Sequence, residues 1–259
     1  MVHIAHFLRY GITVKKLLGL ILLLPCLFVP GRAQSEPLPA DLLDFSAWRL
    51  TLPESAEPKG RPTEIEAGEL AEFAHADFFF AEPATKAVVF RAPCGGTTTK
   101  NSSYPRSELR EMTADGTKRA SWGTKDGTVH EMSLRVAIRK TPKKKRHVVC
   151  AQIHDADDDL AMIRLEGTHL FVERNKLPAV TLTRDYQLGD VFELKFIVSL
   201  GRVRVWYDGE QEMNWKIVRD GCYFKAGCYT QSNPKKGDAA EDYGEVAIYD
   251  LKVSHRPIE

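Results

Sequence analysis

Beyond residue 33, the sequence lacks three features that would narrow its function at once: a long apolar run, a surplus of charge of one sign, and a Cys-x-x-Cys pair. A membrane-spanning helix needs about 20 predominantly apolar residues, so this part of the chain offers no candidate for one. The whole chain carries a net charge of only +1, which argues against general nucleic-acid binding. Without a cysteine and histidine spacing typical of zinc, a structural zinc site is not expected either.

The first 33 residues have the layout of a secretory signal peptide. Basic residues precede the apolar run LLGLILLLPCLFV, and the small-residue sequence GRA precedes Gln34. We expect residues 1–33 to be cleaved and the protein to be secreted, with residues 34–44 as a lead-in and residues 45–259 as one domain. Cleavage removes four basic residues and no acidic ones, which takes the net charge from +1 to −3. An uncleaved membrane anchor is the alternative.

Four cysteines follow the predicted signal peptide: Cys94, Cys150, Cys222 and Cys228. In an exported chain, this even number permits two disulfides. Cys222 and Cys228 cannot pair within one continuous strand, because six extended residues span about 20 Å, whereas a disulfide requires Cα atoms within about 7 Å. A disulfide between Cys94 and one of the other cysteines is therefore expected.

Alternation of apolar and polar residues with period 2 dominates the chain from residue 48 onward. The clearest alternating segments are residues 128–139, 147–154, 160–173, 191–210 and 244–254. Sequences such as EGT, SLGR and YDGE within them are typical of turns. The stretch 64–78 is the one segment with a helical pattern. Many short strands and few helices predict an all-β fold, a β-sandwich jelly roll of two antiparallel sheets with an open cleft on one sheet.

Two runs of like charge are interpreted as loops. TPKKKR at 141–146 lies between two predicted strands and is typical of a solvated turn, with contact to an anionic polymer as the alternative. HDADDD at 154–159 is rich in carboxylates but lacks the glycine and terminal glutamate of an EF-hand calcium loop. The sequence therefore predicts no metal site and no cofactor.

Polar side chains line one face of three predicted strands. YPRSELRE (104–111), VCAQIHD (149–155) and GCYFKAGCYTQSN (221–233) alternate polar residues with apolar or small ones. The polar positions are Arg106, Glu108 and Arg110; Gln152 and His154; and Tyr223, Lys225, Tyr229 and Gln231. If these strands are neighbours in a sheet with one packed and one solvated face, their side chains form a single groove. Cys222 and Cys228 would then face the core.

Such a groove suits an acidic sugar polymer. Its guanidiniums and ammonium can bind carboxylates, and its histidine and tyrosine can transfer protons. Glu108 lies between Arg106 and Arg110, so we interpret it as their ion-pair partner. The groove then lacks the two free carboxylates that glycoside hydrolysis requires, and elimination fits better than hydrolysis.

In β-elimination on a uronic acid, a base removes the C5 proton and the C4–O bond breaks. The C5 proton is acidic enough only when the adjacent carboxylate is neutralised, a role that suits Arg106 and Gln152. His154 can act as the base, and Tyr229 can donate a proton to the leaving oxygen. In a basic neighbourhood, Tyr229 is a usable base as well, and the sequence leaves open which of the two serves a given epimer. These four residues are the candidate catalytic set.

The same stretches resemble the signature motifs of the alginate lyases of polysaccharide lyase family 7, R(T/S)EL(R), Q(I/V)H and YFKAGxYxQ. Here they are RSELR at 106–110, QIH at 152–154 and YFKAGCYTQ at 223–231, and WRLTLP at 48–53 is similar to the family's opening strand. The resemblance covers residues 45–254. It implies a jelly-roll sandwich, metal-independent β-elimination, and alginate as the partner.

By motif position, the resemblance makes Arg106, Gln152, His154 and Tyr229 catalytic and makes Arg110, Lys225 and Gln231 substrate-binding, with Glu108 as their orienting partner. The QIH form implies a preference for guluronate-containing blocks, and we expect cleavage within the polymer. A lyase for another polyuronate, such as glucuronan, and a non-catalytic polysaccharide-binding module are the alternatives. We expect a monomer with no nucleic-acid or membrane partner after cleavage of the signal peptide.

Overall fold

The computed structural model describes residues 37–58 and 60–259, so the predicted signal peptide lies outside the described residues. Fifteen strands and two short 3₁₀-helices, Pro39–Asp41 and Pro234–Lys236, make up the regular structure of this part of the chain. The strands are β1 (Trp48–Thr51), β2 (Glu64–Ile65), β3 (Phe79–Glu82), β4 (Ala87–Pro93), β5 (Arg106–Glu111), β6 (Thr128–Lys140), β7 (His147–His154), β8 (Asp159–Glu166), β9 (His169–Arg174), β10 (Leu177–Thr183), β11 (Phe192–Ser199), β12 (Arg202–Tyr207), β13 (Glu210–Lys216), β14 (Tyr223–Thr230) and β15 (Tyr243–Pro257). None of the described residues forms a helix that is long and apolar enough to span a membrane.

The strands form two antiparallel sheets. The eight-stranded sheet has the order β10-β9-β8-β7-β14-β5-β1-β2, and the seven-stranded sheet has the order β13-β12-β11-β6-β15-β4-β3. Apolar side chains from both sheets fill the space between them, including Phe90 and Phe196 from one sheet and Phe224 from the other, all fully buried. This arrangement confirms the predicted all-β jelly-roll sandwich.

Local sequence explains why the strands form and where they end. Along β11, the sequence FELKFIVS alternates buried and more exposed residues, as expected for a strand with one face on the core. Two tight hairpins follow it. Leu200 and Gly201 connect β11 to β12, Asp208 and Gly209 connect β12 to β13, and all four residues have positive φ. This is the geometry of the two-residue turns whose twist matches that of the flanking strands.

The helix predicted at 64–78 is wrong. The segment contributes the two-residue strand β2 and then a series of turns, with backbone hydrogen bonds such as Glu69 N–H to Glu66 O at 2.9 Å. Gly68 interrupts the helical pattern, and nucleating a helix in so short a segment is unfavourable. The lead-in residues nearest the domain pack against it, since Leu43 is part of the core.

The predicted disulfide of Cys94 is also absent. Cys94, Cys150, Cys222 and Cys228 are all free and buried. Cys222 and Cys228 do face the core, as the alternation of their strand predicts. Buried thiols of this kind pack as small apolar side chains, so an even number of cysteines did not in this case indicate covalent pairing.

Candidate active site

The three strands with polar faces lie side by side at the centre of the eight-stranded sheet, with β14 between β7 and β5. Lys225 on β14 is opposite Arg110 on β5 and opposite Gln152 on β7. Tyr229 is opposite Arg106 in the same register. Because directly opposed residues of neighbouring strands share a face, these side chains form one polar surface, as the sequence predicts.

Glu108 occupies the centre of this surface and is only 2% exposed. Its carboxylate accepts a hydrogen bond from Arg106 Nη1 at 3.1 Å, a second from Gln152 Nε2, and a third from the ammonium of Lys225. Three donors on one buried carboxylate hold all four side chains in a fixed arrangement. Glu108 therefore orients Arg106 and Lys225 from the buried side of the polar surface.

The charges in this cluster do not balance. Burial alone would raise the pKa of Glu108, but the positive charges of Lys225 and Arg106 outweigh that effect and hold the pKa below its usual value. Burial, together with repulsion from Arg106, lowers the pKa of Lys225 to about 8. Arg110 adds a further cation two residues along β5. Because one carboxylate cannot neutralise three cations, the site favours an anionic ligand.

Accessibility divides the predicted site residues into two groups. Gln152, Lys225, Gln231 and Glu108 are buried, whereas Arg106, Arg110, His154 and Tyr229 are half-buried and reachable from the groove. Gln231 lies one residue past the end of β14, where its backbone N–H donates to His147 O at 3.2 Å. Within the described part of the chain, its side chain makes no hydrogen bond to the other site residues.

His154 is held in the form that can accept a proton. Its Nδ1 lies 2.8 Å from the backbone oxygen of Asp155. A carbonyl oxygen only accepts hydrogen bonds, so Nδ1 carries the hydrogen and Nε2 of the neutral ring has a free lone pair. Burial lowers the pKa of His154, with the charge of Lys225 acting in the same direction. The imidazole is therefore neutral near pH 7.

Tyr223 supports His154 from the neighbouring strand, and the sequence motifs alone did not assign it a role. Its ring stacks on the His154 ring with centroids 5.1 Å apart and an interplanar angle of 16°. The Arg110 guanidinium carbon lies 3.6 Å from the Tyr223 centroid. Tyr223 thus links the candidate base to one of the cations that face the groove.

Tyr229 lies at the other end of the cluster from His154. The Arg106 guanidinium carbon is 3.8 Å from the centroid of its ring, and its hydroxyl is 2.9 Å from Ser102 Oγ. Val149, the residue opposite Tyr229 on β7, is five residues from His154. One of these five is an extra residue relative to β8, so the spacing along the strand is about 13 Å. The candidate acid and base therefore approach the cluster from opposite ends.

An irregularity in β7 brings two further residues, His147 and Arg164, together on the polar surface. The alternation of the sequence does not reveal them. Gly227 and Cys228 lie opposite the single residue Cys150, and β7 also has one extra residue here relative to β8. Beyond this bulge, the face that carries Gln152 continues with odd-numbered residues, so His147 joins it. Arg164 on β8 donates from Nη2 to His147 Nδ1 at 3.1 Å. Strict alternation places His147 on the opposite face to Gln152, and no other sequence signal identifies the pair.

Comparison with known proteins identifies the family of this chain. The family model described as alginate lyase matches residues 43–255. The alginate lyase AlgAT5 from polysaccharide lyase family 7 is 48% identical, with a TM-score of 0.80 over 85% of this chain and 99% of that chain. The alginate lyase from Corynebacterium sp. is 43% identical, with a TM-score of 0.80 over 86% of this chain and 100% of that chain. A third structure is that of the family 7 alginate lyase A1-II′ with His-to-Asn and Tyr-to-Phe substitutions, in complex with the substrate GGMG. It is 28% identical, with a TM-score of 0.72 over 86% of this chain and 98% of that chain. The chain therefore belongs to the alginate lyases of polysaccharide lyase family 7.

Proposed function

We propose that this polysaccharide lyase cleaves alginate by β-elimination within the polymer, favours guluronate-containing blocks, and leaves a 4,5-unsaturated uronate at the new chain end. The observation that carries the proposal is the placement of two different proton-transfer groups, His154 and Tyr229, at opposite ends of one cationic cluster.

The first step is neutralisation of the substrate carboxylate. Arg106 faces the groove and keeps donors free beyond the Nη1 that binds Glu108, and Gln152 has a second amide hydrogen at the floor of the site. Hydrogen bonds from these groups to the uronate stabilise the enolate-like state in which negative charge moves onto the carboxylate. Lys225 and Arg110 bind the carboxylates of adjoining sugars.

Proton transfer requires two groups when the substrate is guluronate. In this epimer, the C5 proton and the C4 oxygen lie on opposite faces of the ring, so one residue cannot serve both. His154 Nε2 takes the C5 proton, the C4–O bond breaks as the C4=C5 double bond forms, and Tyr229 gives its proton to the departing oxygen. The A1-II′ variant that holds GGMG has a histidine and a tyrosine replaced, the two residue types placed in these roles here.

The position of the site within the sheet supports cleavage at internal bonds. Four strands lie on one side of β14 and three on the other. Arg49 on β1 is opposite Arg110, and Arg164 on β8 is opposite Val149, so the polar face continues in both directions across the sheet. A polyuronate bound across the strands can therefore extend beyond the cluster on both sides. We further propose that the protein acts as a secreted monomer, in keeping with its N-terminal sequence and the polymeric nature of alginate.

The decisive experiment compares polyguluronate, polymannuronate and polyglucuronate as substrates, with a chelator present, by following the ultraviolet absorbance of the conjugated double bond. We expect the highest rate on polyguluronate, and a fall in viscosity that precedes the accumulation of small products. Tyr229→Phe should abolish the signal, whereas Tyr207→Phe, a control on β12 of the other sheet, should not. No absorbance from any of the polymers would refute the proposal, and activity confined to polyglucuronate would redirect it to another polyuronate.

A further inference from the structure

Ser102, in the loop before β5, contacts the hydroxyl of Tyr229. Ser102 Oγ and Tyr229 Oη are 2.9 Å apart. Ser102 Oγ also donates to the backbone oxygen of Tyr104 at 3.1 Å and accepts from the Tyr104 N–H at 3.1 Å. Ser102 lies outside the motifs discussed above, and its loop has no periodic pattern from which a role could be predicted.

The number of available hydrogens determines the direction of these bonds. A serine hydroxyl has one hydrogen to donate and two lone pairs that accept. While that hydrogen points at the Tyr104 carbonyl, the 2.9 Å contact requires the Tyr229 hydroxyl to be the donor. Ser102 thus fixes the Tyr229 oxygen by accepting from it and retains a hydrogen that it can redirect.

We propose that Ser102 is a positioning residue for Tyr229. Ser102 holds the Tyr229 hydroxyl in place before proton transfer and stabilises the phenolate after it. The inference rests on the acid role proposed for Tyr229. The Tyr229 O–H turns from Ser102 to the C4 oxygen of the substrate and then breaks, which leaves its electron pair on the phenolate. Its proton bonds to the C4 oxygen, and the electron pair of the C4–O bond remains on that oxygen. Ser102 keeps its own proton and rotates its O–H from the Tyr104 carbonyl to the phenolate. Solvent returns a proton to Tyr229 after the product leaves.

The surroundings of Ser102 suit this role. Tyr104 packs edge-on against Tyr229 with centroids 6.4 Å apart, and Lys145 Nζ donates to the Tyr104 hydroxyl at 3.0 Å. Asn233 Nδ2 donates to the backbone oxygen of Ser103 at 2.8 Å, which anchors the loop independently of the serine hydroxyl. Among the residues that the structure describes, Ser102 is the hydrogen-bond partner of the Tyr229 hydroxyl, while Arg106 acts on the face of the ring.

The test compares Ser102→Ala with Ser102→Thr on guluronate oligosaccharides. We expect Ser102→Ala to lower kcat about 10- to 100-fold, as for the loss of one hydrogen bond to a charged group. KM should change less than about twofold, because a positioning residue acts through Tyr229 and its loss affects the transition state more than substrate binding. Ser102→Thr keeps the hydroxyl and should retain most of the activity. Calorimetric binding of the same oligosaccharides to Tyr229→Phe and to Ser102→Ala/Tyr229→Phe should give equal Kd values.

Asn233→Ala is the matched control, since it loosens the same loop without removing the hydroxyl, and it should leave kcat near that of the parent protein. Full activity of Ser102→Ala alongside an inactive Tyr229→Phe would overturn the role of Ser102 and leave the proposed function intact. Equal losses in Ser102→Ala, Ser102→Thr and Asn233→Ala would show that only loop structure matters, which also overturns it. An active Tyr229→Phe would overturn both proposals.

Discussion

Gly227 of β14 lies directly against Glu108 of β5, leaving no room for a side chain. A Cβ on Gly227 would lie 2.9 Å from Glu108 Cα and 2.6 Å from Ser107 O, and the glycine has a φ of +135°. Only glycine adopts this conformation without strain. The close approach brings the strand that carries Lys225 against the strand that carries Glu108, and the hydrogen bonds of the cluster depend on it.

Gly227→Ala should therefore destabilise the fold and reduce activity. Forcing a Cβ into this contact should cost about 1–3 kcal/mol of the free energy of unfolding, because backbone atoms must move apart. Gly68→Ala is the control, since no neighbouring atom lies within 4 Å of the position that its Cβ would take, and its effect should stay within about 0.5 kcal/mol. Urea unfolding of both variants measures the difference, and equal stabilities would contradict the proposed close packing.

Glu108→Gln should be the most destabilising single change in the cluster. It leaves the buried Lys225 and the half-buried Arg106 without a compensating charge, and removing one partner of a buried ion pair costs about 3–5 kcal/mol. We expect both a lower unfolding free energy and a large loss of kcat/KM, because the cations lose the group that orients them.

Asp250→Asn tests the same chemistry at the surface. Asp250 pairs with Lys252 at 2.7 Å, but their side chains are 45% and 73% exposed. Exposed pairs contribute about 0–1 kcal/mol, so this variant should behave almost like the parent protein. Comparable losses in Asp250→Asn and Glu108→Gln would show that burial does not determine the importance of the Glu108 cluster.

The sequence was most informative where period-2 alternation holds without interruption. Along β5 and β14, alternation alone placed Arg106, Glu108 and Lys225 on one face, and the register confirms that they meet. Alternation fails at the bulge around Cys150, where it would place His147 on the wrong face. Ser102 lies in an irregular loop, where side-chain direction depends on tertiary contacts that no local pattern encodes.

The cysteines show a different limit of sequence reasoning. Counting them predicted a disulfide, yet the structure has four buried thiols, and burial raises the pKa of Cys94 to about 12.

We expect dithiothreitol to leave the melting temperature of residues 34–259 unchanged. A thiol reagent should label no cysteine quickly in the native protein and four in denaturant. Ser254→Cys, at an exposed position on β15, should label at once and serves as the positive control. A reductant-sensitive melting temperature would instead indicate a disulfide.

The pH dependence of kcat/KM should report two groups of the free enzyme, His154 and Lys225. His154 must be neutral to act as a base, and burial lowers its pKa below 6.5, so activity should be lost only as the pH falls through that lowered value. Lys225 must be charged to bind a carboxylate. Because burial and Arg106 lower its pKa to about 8, activity should fall as the pH rises through about 8.

Lys225→Arg separates the acid limb of the pH profile of kcat/KM from its alkaline limb. Arginine stays charged throughout this range, so the alkaline limb should move to higher pH while the acid limb, set by His154, stays in place. The position of each limb is the quantity to compare, since the maximal rate also depends on how well arginine fits beside Glu108. Lys252→Arg, at a side chain that is 73% exposed, should leave both limbs unchanged. An alkaline limb that stays near pH 8 in Lys225→Arg, within about 0.3 units, would assign that limb to another group and remove Lys225 from the substrate-binding set.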